Sequence, residues 1–524
     1  MRLRAHLLVL LFYFAVEVVI TYPLITVIGT RMMGHPFGDA YEYTHHIWWI
    51  KTALQTGQNP FFQPLLVYPE GANAALLWSI PLQSFPAWLL AFALPLPAAF
   101  NLSALLTLAL NGWAMFWLAR YLTRARYEQS SPAMPRQSSA PALVAGLVFM
   151  AYPAFQGQVG AAHVGLLSLY PAPLYLYVLF RLRDVKRVRR AIVAGAALFA
   201  ASLWGSLLLL IYLIAPITAV YLLMQLAARD WRTLRRAVVT LLLGALFAAP
   251  FVVPLLLDTL SVPREEGAVT YSASLLGIVS PSFYHPLFAS LGYNRRVLGV
   301  DPFEQASYVG MIAAGIGLIG FWKVKRARWW LLLAVVAWVF SLGPLLKLED
   351  APLAVRVGGY ATHISLPWAL FQNLPLINIA RTPARFNFAV GFALALLVGY
   401  GVAWLWAKIG TRRLRYFALA LLMAAILFDT QFWWGLPTIA GIVPEPIAAL
   451  ASRNDIRAVL DIPWAHPLVN KDGMFLQTGH EQAMIVGQIA RRSPVNPAKV
   501  SLLQGTLDPA LLDAAGVDIV ILHK

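Results

Sequence analysis

The sequence predicts an all-α membrane protein of about 12–13 transmembrane helices, with a small C-terminal α/β domain outside the cytoplasm. Three observations support this fold class. First, 60% of the 524 residues are hydrophobic and only 12% are charged, whereas about a quarter of the residues of a soluble protein are charged. Second, apolar segments of about twenty residues, long enough to cross a bilayer as helices, recur along the chain. Third, basic residues collect in the short connectors between these segments.

The net charge of +17 reflects these connectors. They contain more than half of the 40 basic residues: Arg120, Arg124, Arg126 and Arg136; Arg181, Arg183, Lys186, Arg187, Arg189 and Arg190; Arg229, Arg232, Arg235 and Arg236; Lys323, Lys325, Arg326 and Arg328; and Lys408, Arg412, Arg413 and Arg415. Short basic connectors mark the cytoplasmic side of a membrane protein, so the charge predicts topology and no nucleic-acid partner. The absence of cysteine excludes disulfides and thiolate metal sites.

The N-terminus has the features of an uncleaved signal-anchor. Arg2 and Arg4 precede the first apolar segment, about Leu7 to Ile28, which places the N-terminus in the cytoplasm. Residues 29–73 then form a predicted outer loop.

Within the 29–73 loop, Tyr43–Gln55 is predicted as an amphipathic helix that lies in the membrane interface. Ile47, Trp48 and Trp49 are its expected anchors at the level of the lipid.

The next two apolar segments, 74–97 and 100–122, leave the topology open. If both cross the membrane, the basic connector after Leu122 falls outside, against the positive-inside rule. Pro81 and Pro86 indicate that the first of the two is broken or only partial.

Later crossings are clearer. They are predicted at about 141–155, 164–180, 191–207, 208–226, 237–257, 306–322, 329–346, 386–407 and 416–434. With every basic connector inside, the 258–305 and 347–385 loops lie outside with the first loop.

The composition changes near residue 437, so the chain is divided into a membrane domain, 1–436, and a small outer α/β domain, 437–524. Val459–Ile462 and Val517–Leu522 have the β-branched composition of strands, and Asp508–Ala515 is predicted as a short helix.

The first outer loop contains the densest ionisable cluster near the N-terminus. Asp39, Glu42 and His46 fall on one face of the helix predicted there. A carboxylate in this position suits a general base, or an oxygen ligand for a divalent cation. Any bound metal is predicted to be Mg²⁺ or Mn²⁺ on Asp39 and Glu42; the sequence leaves the metal requirement open. The structural alternative is that Asp39 only caps the helix.

A second motif, Arg381-Thr382-Pro383-Ala384-Arg385-Phe386, precedes a late span on the predicted outer side. Arginine matches the geometry of phosphate oxygens, so Arg381 and Arg385 are predicted to bind a lipid phosphate. The alternative is a pair of interface anchors or salt-bridge partners.

Four residues are candidate substrate contacts: His45, His46, His163 and Glu265. Their alternative is structural. A lone interfacial His is usually satisfied by its neighbours, and the charged groups of the 258–305 loop, including Asp301 and Glu304, are expected to form a solvated surface.

These parts, in this order, resemble the polyprenyl-phosphate-sugar-dependent integral membrane glycosyltransferases of the C superfamily, and more narrowly its uncharacterised bacterial branch. The resemblance rests on Gly38-Asp39 through Glu42 in the first outer loop, the Arg381–Phe386 motif, and the tail motifs Val459-Leu460-Asp461-Ile462-Pro463 and Gln477-Thr478-Gly479-His480. The family's paired acids are adjacent or one residue apart, whereas here they are three apart. This spacing makes Asp39 the better candidate for the base.

The resemblance implies transfer of a sugar from a polyprenyl-phosphate donor to an extracytoplasmic acceptor hydroxyl, with inversion. The acceptor would be a glycan, a lipid or a protein, and the enzyme would lie in the inner (plasma) membrane of a bacterial cell envelope. Asp39 would be the base, and Arg381 and Arg385 would stabilise the departing lipid phosphate.

Two other functional classes remain open from the sequence. A transporter or flippase of a lipid-linked sugar or polymer would use ionisable residues within the membrane, for which Glu17 and Asp429 are the candidates. A non-catalytic envelope assembly protein would act through its outer tail.

Overall fold

A computed structural model describes residues 3–73, 80–130, 138–260, 266–487 and 495–523. The described chain is predominantly helical. Its α-helices, in chain order, are α1 Leu3–Ile20, α2 Ala40–Gln55, α3 Pro81–Leu90, α4 Leu96–Ser130, α5 Ala140–Met150, α6 Pro153–Gly160, α7 Pro171–Arg181, α8 Val188–Gly205, α9 Ala215–Ala227, α10 Trp231–Leu260, α11 Tyr293–Leu298, α12 Pro302–Gln305, α13 Met311–Lys323, α14 Arg328–Ser341, α15 Trp368–Phe371, α16 Asn387–Lys408, α17 Arg412–Thr430, α18 Glu445–Ala448, α19 Pro467–His480, α20 Pro497–Thr506 and α21 Pro509–Ala514.

The strands are short and pair two by two. They are β1 Arg31–Met33, β2 Phe62–Gln63, β3 Ala72–Asn73, β4 Ala354–Val357, β5 Tyr360–His363, β6 Thr438–Ala440, β7 Ala458–Ile462 and β8 Val517–Leu522. The pairs β1–β6, β2–β3 and β4–β5 are antiparallel, and β7–β8 is parallel.

The chain divides into two compact units. Unit 1 contains residues 1–21, 105–159 and 166–435; unit 2 contains residues 22–104, 160–165 and 436–524. The predicted C-terminal domain, 437–524, therefore lies in the same unit as the first predicted outer loop.

Unit 1 contains most of the long apolar helices. Six stretches of the described residues are long and apolar enough to cross a membrane, or seven if the bent pair α5–α6 is one span. The protein is thus a multi-pass membrane protein, and the predicted helical membrane fold class is confirmed. Several other predicted spans, such as α13 and α14, form shorter helices of 13 and 14 residues.

Helix α16 forms the centre of unit 1, and its glycines permit close packing. A Cβ at Gly401 of α16 would lie 2.1 Å from the Ile316 carbonyl oxygen of α13. Likewise, a Cβ at Gly320 of α13 would lie 2.2 Å from the Leu397 carbonyl oxygen of α16. Small residues at such crossings let helix backbones approach each other in a membrane protein.

In the segment whose topology the sequence left open, the described residues 80–122 contain one helix long enough to cross. Helix α3 has 10 residues and contains Pro86, whereas about twenty are needed to span the hydrocarbon layer. Helix α4 includes a 29-residue apolar stretch, Leu96–Arg124. If α4 alone crosses here, the conflict with the positive-inside rule is removed.

The predicted interfacial anchors of α2 lie instead inside unit 2. Ile47, Trp48 and Trp49 are 4%, 7% and 0% exposed. Trp49 belongs to a core that also contains Leu66, Leu460 and Met484. The expectation of lipid contact was wrong because apolar aromatic residues are equally typical of a protein core.

The short elements of the C-terminal segment form where the sequence predicts them. β7 and β8 match the two predicted strands, and α21 lies within the predicted helix. Asp508 caps α21 by accepting hydrogen bonds from the backbone N–H groups of Ala510 and Leu511. Behind these strands, α19 packs on α2 within unit 2.

Candidate active site

Two loops of unit 2 are held together by backbone hydrogen bonds. The N–H of His35 donates to the Gly160 oxygen at 2.7 Å, and the N–H of Asp39 donates to the Ala161 oxygen at 3.0 Å. Position 38 must be glycine, because a Cβ there would lie 2.4 Å from the Ala161 oxygen. The close approach brings Asp39 beside the loop that contains His163.

The Asp39 carboxylate is the centre of the site. Asp39 occupies the N-cap position of α2, yet its side chain makes no capping hydrogen bond. Its Oδ1 instead accepts a hydrogen bond from Lys471 Nζ at 2.7 Å, and its Oδ2 lies 3.5 Å from His163 Nε2. The capping alternative therefore does not account for Asp39.

The three side chains of this cluster are partly accessible. Asp39, His163 and Lys471 are 17%, 16% and 13% exposed. An ammonium group 2.7 Å away in such surroundings stabilises the ionised carboxylate. The arrangement suits a carboxylate that accepts a proton from a small hydroxyl group.

Sequence reasoning did not identify Lys471. Its Nζ also donates to the Gly38 oxygen at 3.0 Å, so it fixes the loop as well as the carboxylate. Helix α19 positions it, since Phe475 stacks on Tyr41 of α2 with ring centroids 4.4 Å apart. Within α19, Lys471 stands between Asn470 and Asp472, so its sequence context does not distinguish it from a surface lysine.

His45 and His46 lie inside unit 2, 0% and 4% exposed. His45 Nε2 is 2.7 Å from Gln477 Oε1, and the Gln63 amide is 3.2 Å away. Burial lowers the pKa of His45 to about 4 and that of His46 well below its usual value, so both rings are neutral at pH 7. Both predicted substrate contacts are therefore enclosed by unit 2.

Glu42 is also buried, at 6% exposure. Its Oε1 faces His46 Nε2 at 4.0 Å.

The donor set around Asp39 does not suit a divalent cation. One Asp39 oxygen is bonded to the Lys471 ammonium, which would repel a metal ion. Among the described residues, no three His, Asp or Glu side chains are arranged to hold a metal.

Arg385 lies in unit 1 and forms a buried ion pair. Its Nε donates to Glu304 Oε2 at 2.9 Å and its Nη2 donates to Glu304 Oε1. The Gln158 amide adds a bond to Glu304 Oε2 at 3.3 Å. The salt-bridge alternative for Arg385 therefore holds, and the expectation that Glu304 is a solvated surface residue was wrong.

Asp301 lies beside this pair and caps α12 by accepting a hydrogen bond from the Glu304 N–H. Burial, with a further contribution from the neighbouring Glu304 carboxylate, raises the pKa of Asp301 to about 6.

Arg381 has a different environment from Arg385. Its guanidinium lies over the Tyr271 ring, 5.3 Å from the centroid. Between the two arginines, Thr382 is fixed by Tyr212, whose hydroxyl is 3.1 Å from both the Thr382 hydroxyl and its backbone nitrogen. Glu265 lies outside the described residues.

Asp429, a candidate for the transport alternative, has a structural role. Its carboxylate accepts hydrogen bonds from the Tyr308 hydroxyl at 2.6 Å and from the Ile312 N–H at 2.9 Å. It therefore satisfies the first turn of α13.

No protein-family model matches the sequence, and no curated protein matches it. Solved structures do. The apo oligosaccharyltransferase of Archaeoglobus fulgidus aligns over 98% of this chain and 69% of its own, with a TM-score of 0.52 and 13% identity.

Two further structures match less closely. AglB of the same organism, in complex with an inhibitory peptide and a dolichol-phosphate, covers 99% of this chain and 69% of its own, with a TM-score of 0.47 and 15% identity. ArnT of Cupriavidus metallidurans, bound to undecaprenyl phosphate, covers 96% of this chain and 88% of its own, with a TM-score of 0.45 and 12% identity. At 13% identity the likeness to the first structure shows the fold alone: the chain is folded like the oligosaccharyltransferase of Archaeoglobus fulgidus.

Proposed function

We propose that this chain, which has the fold of the C-superfamily membrane glycosyltransferases, transfers a sugar from a polyprenyl-phosphate donor to an acceptor hydroxyl outside the cytoplasm. The observation that carries the proposal is the Asp39 carboxylate, which does not cap its helix and is partly accessible beside His163 and Lys471. The donor class follows from the resemblance of the sequence motifs and from the fold shared with an oligosaccharyltransferase.

Asp39 is the proposed general base. The acceptor hydroxyl donates its proton to Asp39 as the acceptor oxygen forms a bond to the anomeric carbon. The bond between that carbon and the donor phosphate oxygen breaks at the same time, and the polyprenyl phosphate leaves with the electron pair. Attack opposite the leaving group inverts the anomeric carbon.

Lys471 and His163 support this base. Lys471 holds Oδ1 of Asp39, so Oδ2, on the side of His163, is the oxygen proposed to take the proton. His163 is proposed to contact the acceptor. No metal step is included, because the Lys471 ammonium occupies the position of a cation next to the carboxylate.

A separate proposal concerns the donor phosphate and unit 1. Arg381 is the proposed phosphate ligand, since arginine matches phosphate geometry and its guanidinium stacks on the Tyr271 ring, which leaves its N–H donors directed away from the ring face. Arg385, committed to Glu304, is proposed to stabilise the charge of the departing phosphate from its buried position and to hold the motif in place.

The proposed topology follows the positive-inside rule. In this topology every basic connector lies on one side of the membrane. The membrane is crossed by α1, α4, the α5–α6 pair, α7, α8, α9, α10, α13, α14, α16 and α17. All three segments of unit 2 then lie on the other side. The proposal places the N-terminus in the cytoplasm of a bacterial cell, unit 2 outside, and the protein in the inner membrane.

The test is transfer of radiolabelled sugar in reconstituted liposomes, with a panel of polyprenyl-phosphate sugars and lipid, glycan and protein acceptors. Wild type and Asp39→Asn are compared, with Asp455→Asn as control, because Asp455 lies on the surface in an exposed pair with Arg453. Transfer is expected for wild type and Asp455→Asn, with a loss of about 100-fold or more in Asp39→Asn. Full transfer activity in Asp39→Asn would show that Asp39 is not the general base. Movement of donor lipid between leaflets without any transfer would favour a transporter.

A further inference from the structure

Three basic connectors of unit 1 line one cavity of about 840 Å³. They follow α7, α9 and α13, and they contribute Arg183, Ala228 and Arg326 to its walls. In the sequence, the positive-inside rule alone accounts for the basic residues of these connectors. Topology, however, requires only that basic residues lie on one side of the membrane, and it does not require them to share a cavity.

The floor of the cavity is aromatic. Tyr221 and Trp330 are 0% and 1% exposed, and Tyr121, Phe180 and Tyr400 complete the floor. The rings pack edge to face, since the Phe180 and Tyr221 centroids are 5.0 Å apart at 89°. A floor of this kind suits the carbon atoms of a glycerol or an acyl chain.

The rim of the cavity is polar and contains two exposed arginines, Arg183 and Arg326. Arg183 Nε is 3.8 Å from the Asp230 carboxylate, a loose pair. Asp230 is already bonded to Thr233, through the backbone N–H at 3.0 Å and the hydroxyl at 2.9 Å. Hydrogen bonds from Thr233 lower the pKa of Asp230, so Asp230 stays ionised and keeps Arg183 at the rim.

The geometry points to a binding site for a phosphate ester in this cavity, with the phosphate between Arg183 and Arg326 and the carbon atoms on the aromatic floor. Basic pockets between transmembrane helices on the cytoplasmic side suit anionic lipid headgroups, and arginines bind phosphate oxygens in a bidentate manner. The ester is the headgroup of an anionic phospholipid or a soluble phosphate ester. The site depends neither on the proposed transfer reaction nor on Asp39.

The test measures ligand affinity of the full-length protein in neutral detergent by titration calorimetry. The probes are dihexanoyl phosphatidylglycerol, dihexanoyl phosphatidylcholine and glycerol 3-phosphate. The double variant Arg183→Gln/Arg326→Gln is compared with the control Arg190→Gln/Arg413→Gln, which removes the same charge from exposed connector residues that do not line the cavity.

Phosphatidylglycerol is expected to bind wild type and the control alike, and to bind the double variant about tenfold more weakly. If glycerol 3-phosphate binds as tightly as phosphatidylglycerol, the ligand is a soluble phosphate ester. If glycerol 3-phosphate does not bind, the ligand is a phospholipid. Equal losses in control and double variant, or equal binding of phosphatidylcholine, would overturn the proposal.

A second variant tests the site even if the double variant fails to fold. Asp184 also lies at the rim, so Asp184→Asn removes a negative charge and is expected to tighten phosphatidylglycerol binding about twofold or more. Unchanged or weaker binding in Asp184→Asn would equally overturn the site.

Discussion

The buried pair of Arg385 and Glu304 allows the sharpest prediction about stability. Their side chains are 4% and 5% exposed, and two charge-assisted hydrogen bonds join them. Glu304→Gln keeps the shape of the side chain and removes its charge. The Arg385 guanidinium then stays buried and loses the carboxylate to which it donates.

Removing one partner of a buried ion pair costs about 3–5 kcal/mol. The upper part of this range applies where both groups are almost fully shielded from water, as they are here. For a unit of this size, such a loss corresponds to a decrease in Tm on the order of 5 °C.

The assay is thermal unfolding of the purified protein in detergent, followed by intrinsic fluorescence. The matched control is Glu349→Gln, also in unit 1, whose partner Arg296 lies at 2.9 Å with the two side chains 63% and 41% exposed. An exposed pair contributes about 0–1 kcal/mol, so Glu349→Gln should change Tm by less than about 2 °C. The reasoning is refuted if Glu304→Gln is as stable as Glu349→Gln.

Three further predictions concern unit 2 and the surroundings of Glu304. Gly38→Ala should reduce the transfer rate about tenfold or more, because a Cβ 2.4 Å from a carbonyl oxygen displaces the loop of Asp39. The control Gly29→Ala, which has open space around it, should leave the transfer rate unchanged. Equal transfer rates in the two variants would contradict this prediction. The pKa of His45 is lowered from 6.5 to about 4, so stability is complete above pH 6.5 and declines as the pH falls toward 4, by up to about 1.4 kcal/mol per pH unit. His45→Gln should flatten the dependence of Tm on pH in that window and the exposed His363→Gln should not; identical slopes would argue against the burial of His45. The pKa of Asp301 is raised from 3.8 to about 6, so its ionisation costs stability as the pH rises through that range. Asp301→Asn should therefore raise the free energy of unfolding by about 2–3 kcal/mol at pH 7.5, seen as a higher Tm, but not at pH 4. A lower Tm of Asp301→Asn at pH 7.5 would contradict that sign.

Much of the fold was predictable because its determinants are local. The length of an apolar segment decides whether it can cross a bilayer, and the β-branched runs at β7 and β8 indicate strands without knowledge of their partners. The break predicted in 74–97 was visible at Pro81 and Pro86, and the described residues from 80 onward contain the short helix α3.

The candidate site was predictable only in part, because its contacts join distant residues. Asp39 could be selected from its own loop, but Lys471, its partner, is 432 positions away. Arg385 could be named as a phosphate ligand from its type and position alone. Its counter-ion Glu304 is 81 positions away, in a loop whose charges are typical of a solvated surface.

The burial of α2 was not predictable for a different reason. The Ile47–Trp49 run is compatible with a membrane interface and with a protein core. The choice between them depends on helix α19, which covers α2 in the folded chain. No local pattern encodes that contact.

The central claim is that the Asp39 carboxylate accepts the proton of the acceptor hydroxyl, and single-turnover kinetics test it most directly. Pre-bound polyprenyl-phosphate sugar would be mixed with acceptor, and the rate constant for transfer and the donor Kd would be measured for wild type and Asp39→Asn. The account predicts a rate constant lower by about 10²–10⁴-fold with an unchanged donor Kd. A rate constant equal to that of wild type, or a loss entirely in donor affinity, would contradict it.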